Sequence, residues 1–269
     1  MTAFTQHFVF EFKTGMRNAT LLMMNYLFPL GFYAIMGLVM VKINPGFQEG
    51  LIPAMLIFVG MASMLLGLPG PLVDAREAGI YRTYKINGVP ALSILSIPAL
   101  TTILHTSIAS ILIVVTAAPL FGAALPVNWG VFVLIALLTM FTFGALGLLI
   151  GVVSANSRAT VLWSQLIFLP SMLLGGLMVP LSMLPQSVLV ISALLPPARA
   201  MQAFMGLAYG QETTLDPVVS VGVLAATAIL AFGLAIYLFN WDRVNESRRG
   251  HPALALLVLV PGVIGIFLG

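Results

Sequence analysis

The chain has 269 residues, of which 60% are hydrophobic and only 7% are charged, with a formal net charge of +3. A soluble globular domain carries about 25% charged residues, so this composition excludes a water-soluble enzyme or binding module and indicates a membrane protein. The chain has no cysteine, which excludes disulfides, thiolate catalysis and cysteine-ligated metals.

Long apolar stretches predict the membrane-spanning helices. A hydrocarbon core about 30 Å thick needs roughly 20 apolar residues per helix, which leaves room for about six or seven spans. The predicted spans are residues 20–41, 51–73, 91–121, 129–153, 159–179 and 218–240. A further apolar segment, residues 253–269, follows the sixth span. We therefore predict an all-α integral membrane protein.

The amino terminus predicts an amphipathic helix on the membrane surface. Phe4, Phe8, Phe12 and Met16 recur every four residues, and the polar residues turn to other sides of the helix, namely His7, Glu11, Lys13 and Arg17. A helix with this pattern lies in the interface with its apolar face against lipid. A simple cytoplasmic extension of the first span is the alternative.

Lysine and arginine occur in alternate gaps between the spans. Nine of the eleven basic residues follow this pattern, namely Lys13, Arg17, Arg76, Arg82, Lys85, Arg158, Arg243, Arg248 and Arg249. Basic residues in short loops stay on the cytoplasmic side. The pattern predicts an even number of spans between Lys13 and Arg249, with both of these residues in the cytoplasm.

A polar island, residues 74–90, interrupts the apolar sequence after the second span. Asp74 and Glu77 have the spacing of a capping pair, and Gly88 stands before Pro90 where a helix would end. The pattern predicts a cytoplasmic helix of about three turns over residues 75–89. An ordinary charged loop is the alternative.

Residues 180–209, between the fifth and sixth spans, are apolar but interrupted by Pro185, Pro196 and Pro197. The charge pattern places both ends of this segment on the outer side. Irregular backbone at membrane depth is tolerated where protein surrounds it. We predict two short helices that enter the membrane and return, with Arg199 near the outer interface.

The sequence lacks the motifs of catalysis and of ATP binding. It has no Gly-x-Ser-x-Gly elbow, no paired helical histidines and no Gly-x-x-x-x-Gly-Lys-Ser/Thr phosphate loop. The three histidines are too scattered to hold one metal ion. We therefore expect this chain to be a non-catalytic subunit with no catalytic residue, no metal and no cofactor of its own.

His105, deep in the third span, predicts a hydrogen bond between helices, with a proton relay as the alternative.

Polar, aromatic and methionine side chains within the spans predict a pathway for a hydrophobic or amphipathic substrate. The candidates are Tyr26, Tyr33, Ser63, Trp163, Gln165 and Met172. Another pattern in the spans, Gly144, Gly147 and Gly151, predicts close packing of helices.

Two regions resemble the permease subunits of type-2 ABC exporters. Residues 74–79, Asp-Ala-Arg-Glu-Ala-Gly, resemble the start of the cytoplasmic coupling helix of that family. The second region is similar to its fifth span and outer re-entrant helices, and comprises residues 175–180, 183–185, 195–200 and 206–210. The chain departs from the family in having Leu-Pro-Pro-Ala-Arg where Asn-Pro-Leu-Thr-Tyr is frequent. It also continues past the sixth span, where the family usually ends.

The resemblance implies a permease domain over residues 1–245, with a six-helix core, the surface helix, the coupling helix and the outer re-entrant helices. Residues 246–269 are a separate hydrophobic segment that the resemblance does not explain. For residues 253–269 we expect a seventh span, with a re-entrant or interfacial segment that ends on the inner side as the alternative. The residues assigned to coupling with an ATPase are Asp74, Arg76, Glu77, Gly79, Tyr81, Arg82 and Lys85.

The resemblance also implies partners and a location. The partners are two copies of a separate ATPase subunit, which bind ATP and Mg, and a second permease chain in a homodimer or a similar heterodimer. The complex lies in lipid in the inner (cytoplasmic) membrane, works as an exporter and has no nucleic-acid partner. An ion-coupled secondary carrier acting through His105 and a membrane assembly protein without its own cargo are the alternatives.

Overall fold

A computed structural model describes residues 3–241 and 250–268 of the chain. These residues form helices with no strand among them, because a chain in lipid satisfies its backbone polar groups within each helix. The predicted all-α fold class is confirmed. The helices are α1 (Ala3–Arg17), α2 (Ala19–Ile43), α3 (Phe47–Glu77), α4 (Ile80–Ile86), α5 (Ala91–Phe121), α6 (Trp129–Val153), α7 (Ser157–Leu174), α8 (Gln186–Ser192), α9 (Pro196–Ala208), α10 (Pro217–Leu238) and α11 (Pro252–Leu268).

Five of the described helices, α2, α3, α5, α6 and α10, are long and apolar enough to cross a membrane, or six if the bent pair α8 and α9 counts as one span. Helices α5 and α6 have the predicted bounds. Helix α7 is shorter than its predicted span because the chain turns at Gly176, whose φ is +77°. Its 18 residues still measure about 27 Å.

The loops meet at two opposite ends of the bundle. At one end, the backbone N–H groups of Ala124 and Val127 donate to the carbonyls of Gln48 and Ala208. At the other end, α4 packs against the residues that follow α10, and the loop between α6 and α7 contacts the end of α3 through Ser154. The basic residues Arg76, Arg82, Lys85 and Arg158 belong to this second end. The positive-inside rule predicts that it is cytoplasmic, and we call it the inner end.

Helix α3 is the centre of the bundle, since 94% of the residues in its 18-residue apolar stretch are buried. It packs against the glycines of α6, as the sequence predicted. A Cβ atom on Gly147 would collide with the carbonyl oxygen of Met64, and one on Gly151 would lie 3.2 Å from the carbonyl oxygen of Pro69. The two backbones therefore touch along the cytoplasmic half of α3.

Several helices contain π-helical turns. One such turn in α3, Ala62–Gly67, includes Met64, and the N–H of Leu68 donates to the carbonyl of Ser63 five residues earlier. A π turn holds more residues than an α turn, so its backbone bulges outward. This bulge explains why Met64 reaches Gly147. Helix α2 contains two more π turns, Met23–Leu27 and Met36–Met40.

Helices α8 and α9 meet at an angle of 94°. A Cβ on Gly175, just after α7, would lie 2.9 Å from Pro197, and Ala208 at the other end of α9 accepts the bonds from the outer loop. Both ends of the segment therefore lie at the outer end, which agrees with the predicted re-entrant path. Arg199 lies there too, but it is fully buried and its Nε donates to the carbonyl of Ala193 at 2.9 Å.

Helix α11 runs along α10 in the opposite direction. A Cβ on Gly250, just before α11, would lie 3.0 Å from Tyr237 at the inner end, and one on Gly265 would lie 2.5 Å from Val223 and 2.9 Å from Arg199. Its first eight residues form a 3-10 helix and its last nine an α-helix. At about 2.0 and 1.5 Å per residue respectively, the segment is about 30 Å long, which matches the hydrocarbon thickness. The seventh span stays a prediction, and the anchoring residues Arg243, Arg248 and Arg249 lie outside the described residues.

This prediction can be tested by cysteine labelling in a chain that has no native cysteine. In intact cells, Leu268→Cys should react with a membrane-impermeant maleimide, because the residue is exposed at the far end of α11. The control Asn87→Cys at the inner end should react only after permeabilisation. If Leu268→Cys behaves as the control does, α11 does not cross the membrane.

Helix α1 lies against α5. Phe12 stacks on His105 with 4.4 Å between ring centroids and an angle of 2° between the rings. Phe8 is half-buried, while Phe10 and Met16 are exposed. The protein-facing side of α1 is therefore formed by Phe8, Phe12 and the buried Gly15. The side chain of Phe4 lies outside the described residues.

Candidate functional site

The end of α3 corrects the predicted start of the cytoplasmic helix. Asp74 and Glu77 do not cap a helix over residues 75–89; they form the last turn of α3, and the separate helix α4 begins at Ile80. The break occurs at Gly79, whose φ of +74° is in the left-handed region that glycine adopts without strain. Helix α4 ends at Ile86, before the predicted bound at residue 89. The predicted closing glycine, Gly88, has a φ of +71°, and its N–H donates to the carbonyl of Lys85.

The guanidinium of Arg76 ties α3 to the end of α6. Its side chain is buried, with Nη1 donating to the carbonyl of Val152 at 3.0 Å and Nη2 donating to the carbonyl of Ser154. The last carbonyls of a helix have no partner within the helix and carry partial negative charge. Arg76 supplies both hydrogen bonds and positive charge at this position. It contacts this chain rather than projecting from its surface.

The carboxylates of Asp74 and Glu77 tie α3 to the start of α7. Ser157 Oγ donates to Asp74 Oδ1 at 2.7 Å and to Glu77 Oε2 at 3.3 Å. Asn156 caps the same helix by accepting from the N–H of Ala159. Negative charge at a helix amino terminus is favourable. The last turn of α3 therefore contacts both α6 and α7, and we call this arrangement the inner hub.

Helix α4 packs against the chain on one side and is exposed on the other. Tyr81 is buried, with its ring 5.6 Å from that of Phe239 just after α10. Burial, with a smaller contribution from the carboxylate of Glu11, raises the pKa of Tyr81, so the phenol is uncharged at physiological pH. Arg82, Lys85 and Ile86 are exposed, and Ile86 has an exposed fraction of 80%. We call these three residues the docking face.

Three of the predicted pathway residues form contacts between helices. Tyr26 Oη lies 2.7 Å from His105 Nδ1, and Tyr33 Oη lies 2.8 Å from Thr116 Oγ1, so both join α2 to α5. Ser63 is fully buried and donates to the carbonyl of Met24 at 3.5 Å. The predicted helix-to-helix hydrogen bond of His105 is confirmed by the Tyr26 contact.

The other three pathway residues lie on α7. Trp163 and Gln165 are exposed and Met172 is half-buried. The buried side of α7 is formed by small or polar side chains and one ring, namely Thr160, Ser164, Phe168 and Ser171. The structure therefore does not bring the six pathway residues together within one chain; it divides them between the α2 contacts and the outward face of α7.

Sequence reasoning missed an outer cavity of about 500 Å³ between the start of α3 and the re-entrant helices. Its lining includes Glu49, Met201, Met205 and Gln211, with Gln211 Nε2 donating to Glu49 Oε2 at 3.4 Å. Gly50 is the one residue in the sequence that hints at this site, because a glycine within an apolar helix can mark a close approach of another segment. A Cβ there would lie 2.9 Å from Met201. The residues are more than 150 positions apart, so no motif joins them. Over residues 3–241 and 250–268, no group of His, Asp and Glu side chains is placed to hold a metal ion.

Residues 2–209 match the model of a known protein family, which is described as ABC-2 type transporter. The comparison with curated proteins gives no match. The matched region contains α1, the inner hub, α4 and the re-entrant helices, whereas α10 and α11 follow it. With more than half of its length matched and several apolar helices able to cross a membrane, the chain belongs to the ABC-2 type transporter family as a multi-pass membrane permease.

Proposed function

We propose that this chain is the transmembrane permease subunit of an ATP-driven exporter in the inner (cytoplasmic) membrane. The cargo is hydrophobic or amphipathic, such as a drug, an antibiotic, a lipid or a glycoconjugate, and it moves by alternating access. Permeases of this family normally work with an ATPase subunit. ATP and Mg bind to that subunit, and this chain supplies the path through the membrane.

The observation that carries this proposal is the position of α4 beside the inner hub. A force applied to the docking face reaches α10 through the contact of Tyr81 with Phe239. It reaches α6 and α7 through the last turn of α3, where Arg76 and Ser157 make the connecting hydrogen bonds. One cytoplasmic contact can therefore move several spans together.

A second permease chain would cover the outward face of α7. A row of exposed leucines at helical spacing runs along this face, namely Leu162, Leu166, Leu169 and Leu173. Trp163 and Gln165 lie beside these leucines. Two permease chains facing each other here, as a homodimer or a similar heterodimer, would place Trp163 and Gln165 at a central pathway above two ATPase subunits.

The docking face can be tested by charge reversal. Lys85→Glu should reduce ATP-dependent transport on the order of tenfold in proteoliposomes that contain the permease and its co-purified ATPase, because repulsion replaces attraction at a small contact. ATP hydrolysis should no longer respond to cargo. Lys42→Glu, at the outer end, is the matched control and should transport normally. Normal transport by Lys85→Glu would contradict the assignment of α4.

A further inference from the structure

A cavity of about 200 Å³ lies at the inner end and is lined by residues of α1, α2, α3, α4 and α5. Its walls are mainly apolar, and include Leu21, Leu68, Leu72 and Ile94. Tyr81 and Tyr84 of α4 lie at its cytoplasmic side, and Glu11 of α1 also lines it. The cavity is thus in direct contact with the helix that we assign to the ATPase.

Two buried polar atoms in this cavity have no hydrogen-bond partner among the described residues. They are Asn25 Oδ1 and His105 Nε2, on side chains that are each only 2% exposed. A buried polar group without a partner costs free energy, and most such groups in native proteins are satisfied. Both residues line the cavity, so a molecule bound there can supply the missing partners.

Two glycines lie beside these atoms and line the same cavity. A Cβ on Gly15 would lie 2.8 Å from His105 Nε2, and a Cβ on Gly67 would lie 3.7 Å from Asn25 Oδ1. A side chain at Gly15 would therefore crowd the His105 ring.

The polar groups deep in the cavity define the chemistry of its ligand. Asn25 Oδ1 accepts a hydrogen bond, and His105 Nε2 donates one when Tyr26 donates to Nδ1. The hydroxyls of Thr101 and Thr102 donate to backbone carbonyls and keep lone pairs to accept with. The side chains at this depth are uncharged, and a buried charge needs a partner. The ligand therefore carries an uncharged group that donates and accepts, such as a hydroxyl or a carboxamide.

We propose that this cavity binds the polar group of a small uncharged amphipathic molecule that arrives from the cytoplasmic leaflet. Drug-sized sites occupy roughly 300–1,000 Å³, so this cavity holds a head group or a single ring rather than a large cargo. That the bound molecule is cargo on its way to export rests on the function proposed above. Binding beside Tyr81 and Tyr84 would then report its arrival to the ATPase.

A diazirine analogue of 1-octanol tests the binding directly on the full chain in lipid nanodiscs, without ATPase. Its label should map to peptides that contain Asn25 and residues 98–105. Unlabelled 1-octanol should compete about tenfold better than methyl octyl ether, which accepts hydrogen bonds but has no donor for Asn25. Equal competition by the two compounds, or labels at other sites, would overturn the proposal.

Asn25→Leu removes the acceptor and keeps the size of the side chain. In this variant 1-octanol should lose its advantage over the ether. Thr139→Val is the matched control, because Thr139 is also buried without a hydrogen-bond partner in the described chain but does not line this cavity; it should keep the full tenfold preference. A preference retained in Asn25→Leu would overturn the site.

Two further results separate this inference from the proposed function. Native mass spectrometry that finds a phospholipid in wild type, undisplaced by 1-octanol and lost in Asn25→Leu, would assign the cavity to a structural lipid and overturn the proposal. If labelling behaves as expected but the complex with its ATPase transports nothing, the binding site stands and the export function falls.

Discussion

Gly147→Ala should lower the melting temperature of the purified permease by about 10 °C, the largest effect expected for a single added methyl group. The new Cβ would collide with the carbonyl oxygen of Met64, which is backbone and cannot rotate away. Helices α3 and α6 would have to separate along their whole contact. Thermal unfolding in detergent, followed by tryptophan fluorescence, measures the change.

Gly144→Ala is the matched control on the same helix. Its Cβ would meet only the flexible side chain of Met64, 3.7 Å from the sulfur, which is an ordinary van der Waals distance. We expect its melting temperature to stay close to wild type. Equal melting temperatures for the two alanine variants would mean that α3 and α6 do not touch at Gly147.

Arg76→Met should destabilise the permease by about 3 kcal/mol and uncouple ATP hydrolysis from transport. The variant keeps much of the side-chain length but leaves the carbonyls of Val152 and Ser154 without their donor, and each hydrogen bond to a charged group contributes about 1.5–3 kcal/mol. The inner hub would lose its connection to α6. Transport and ATPase assays on the reconstituted complex measure the uncoupling.

Lys85→Met separates this effect from the loss of a positive charge. Lys85 is exposed on α4, so its replacement should leave the melting temperature unchanged even where it weakens ATPase docking. Arg76→Lys should fall between wild type and Arg76→Met, because one ammonium group can reach one carbonyl. If the Arg76→Met permease is stable and couples ATP hydrolysis to transport normally, the contacts of the inner hub are not needed for coupling.

The parts of the fold that sequence analysis predicted are those with local signals. The apolar stretches predicted the bounds of α5 and α6 correctly because glycine, proline and asparagine end the helices at the same residues. Gly122 follows α5 with a φ of +66°, and Asn128 caps α6 by accepting from the N–H of Val131. The alternation of basic residues between the gaps is also visible in the sequence alone, because it does not depend on which residues contact each other in the fold.

The predictions that failed or fell short depended on partners far away in the sequence. Asp74 and Glu77 have the spacing of a helix cap, but Ser157 occupies their carboxylates and α3 continues through them. Tyr26 and Ser63 were chosen as pathway residues because they are polar within spans. The partner of Tyr26 is His105, 79 residues later, and no local pattern connects them.

The π turn Ala62–Gly67 gives α3 a property that a regular helix would lack. If this turn converts to α geometry, the cytoplasmic half of α3 rotates by about 100° and advances by about 1.5 Å relative to the outer half. Only the hydrogen bonds of this one turn have to change, and the turns on either side of it can stay intact. A rotation of that size would carry Arg76 off the carbonyl of Val152 while the outer half of α3 stays in place. Conversion of this one turn would therefore rotate the inner half of α3, and the turn lies at the level where α3 packs against Gly147.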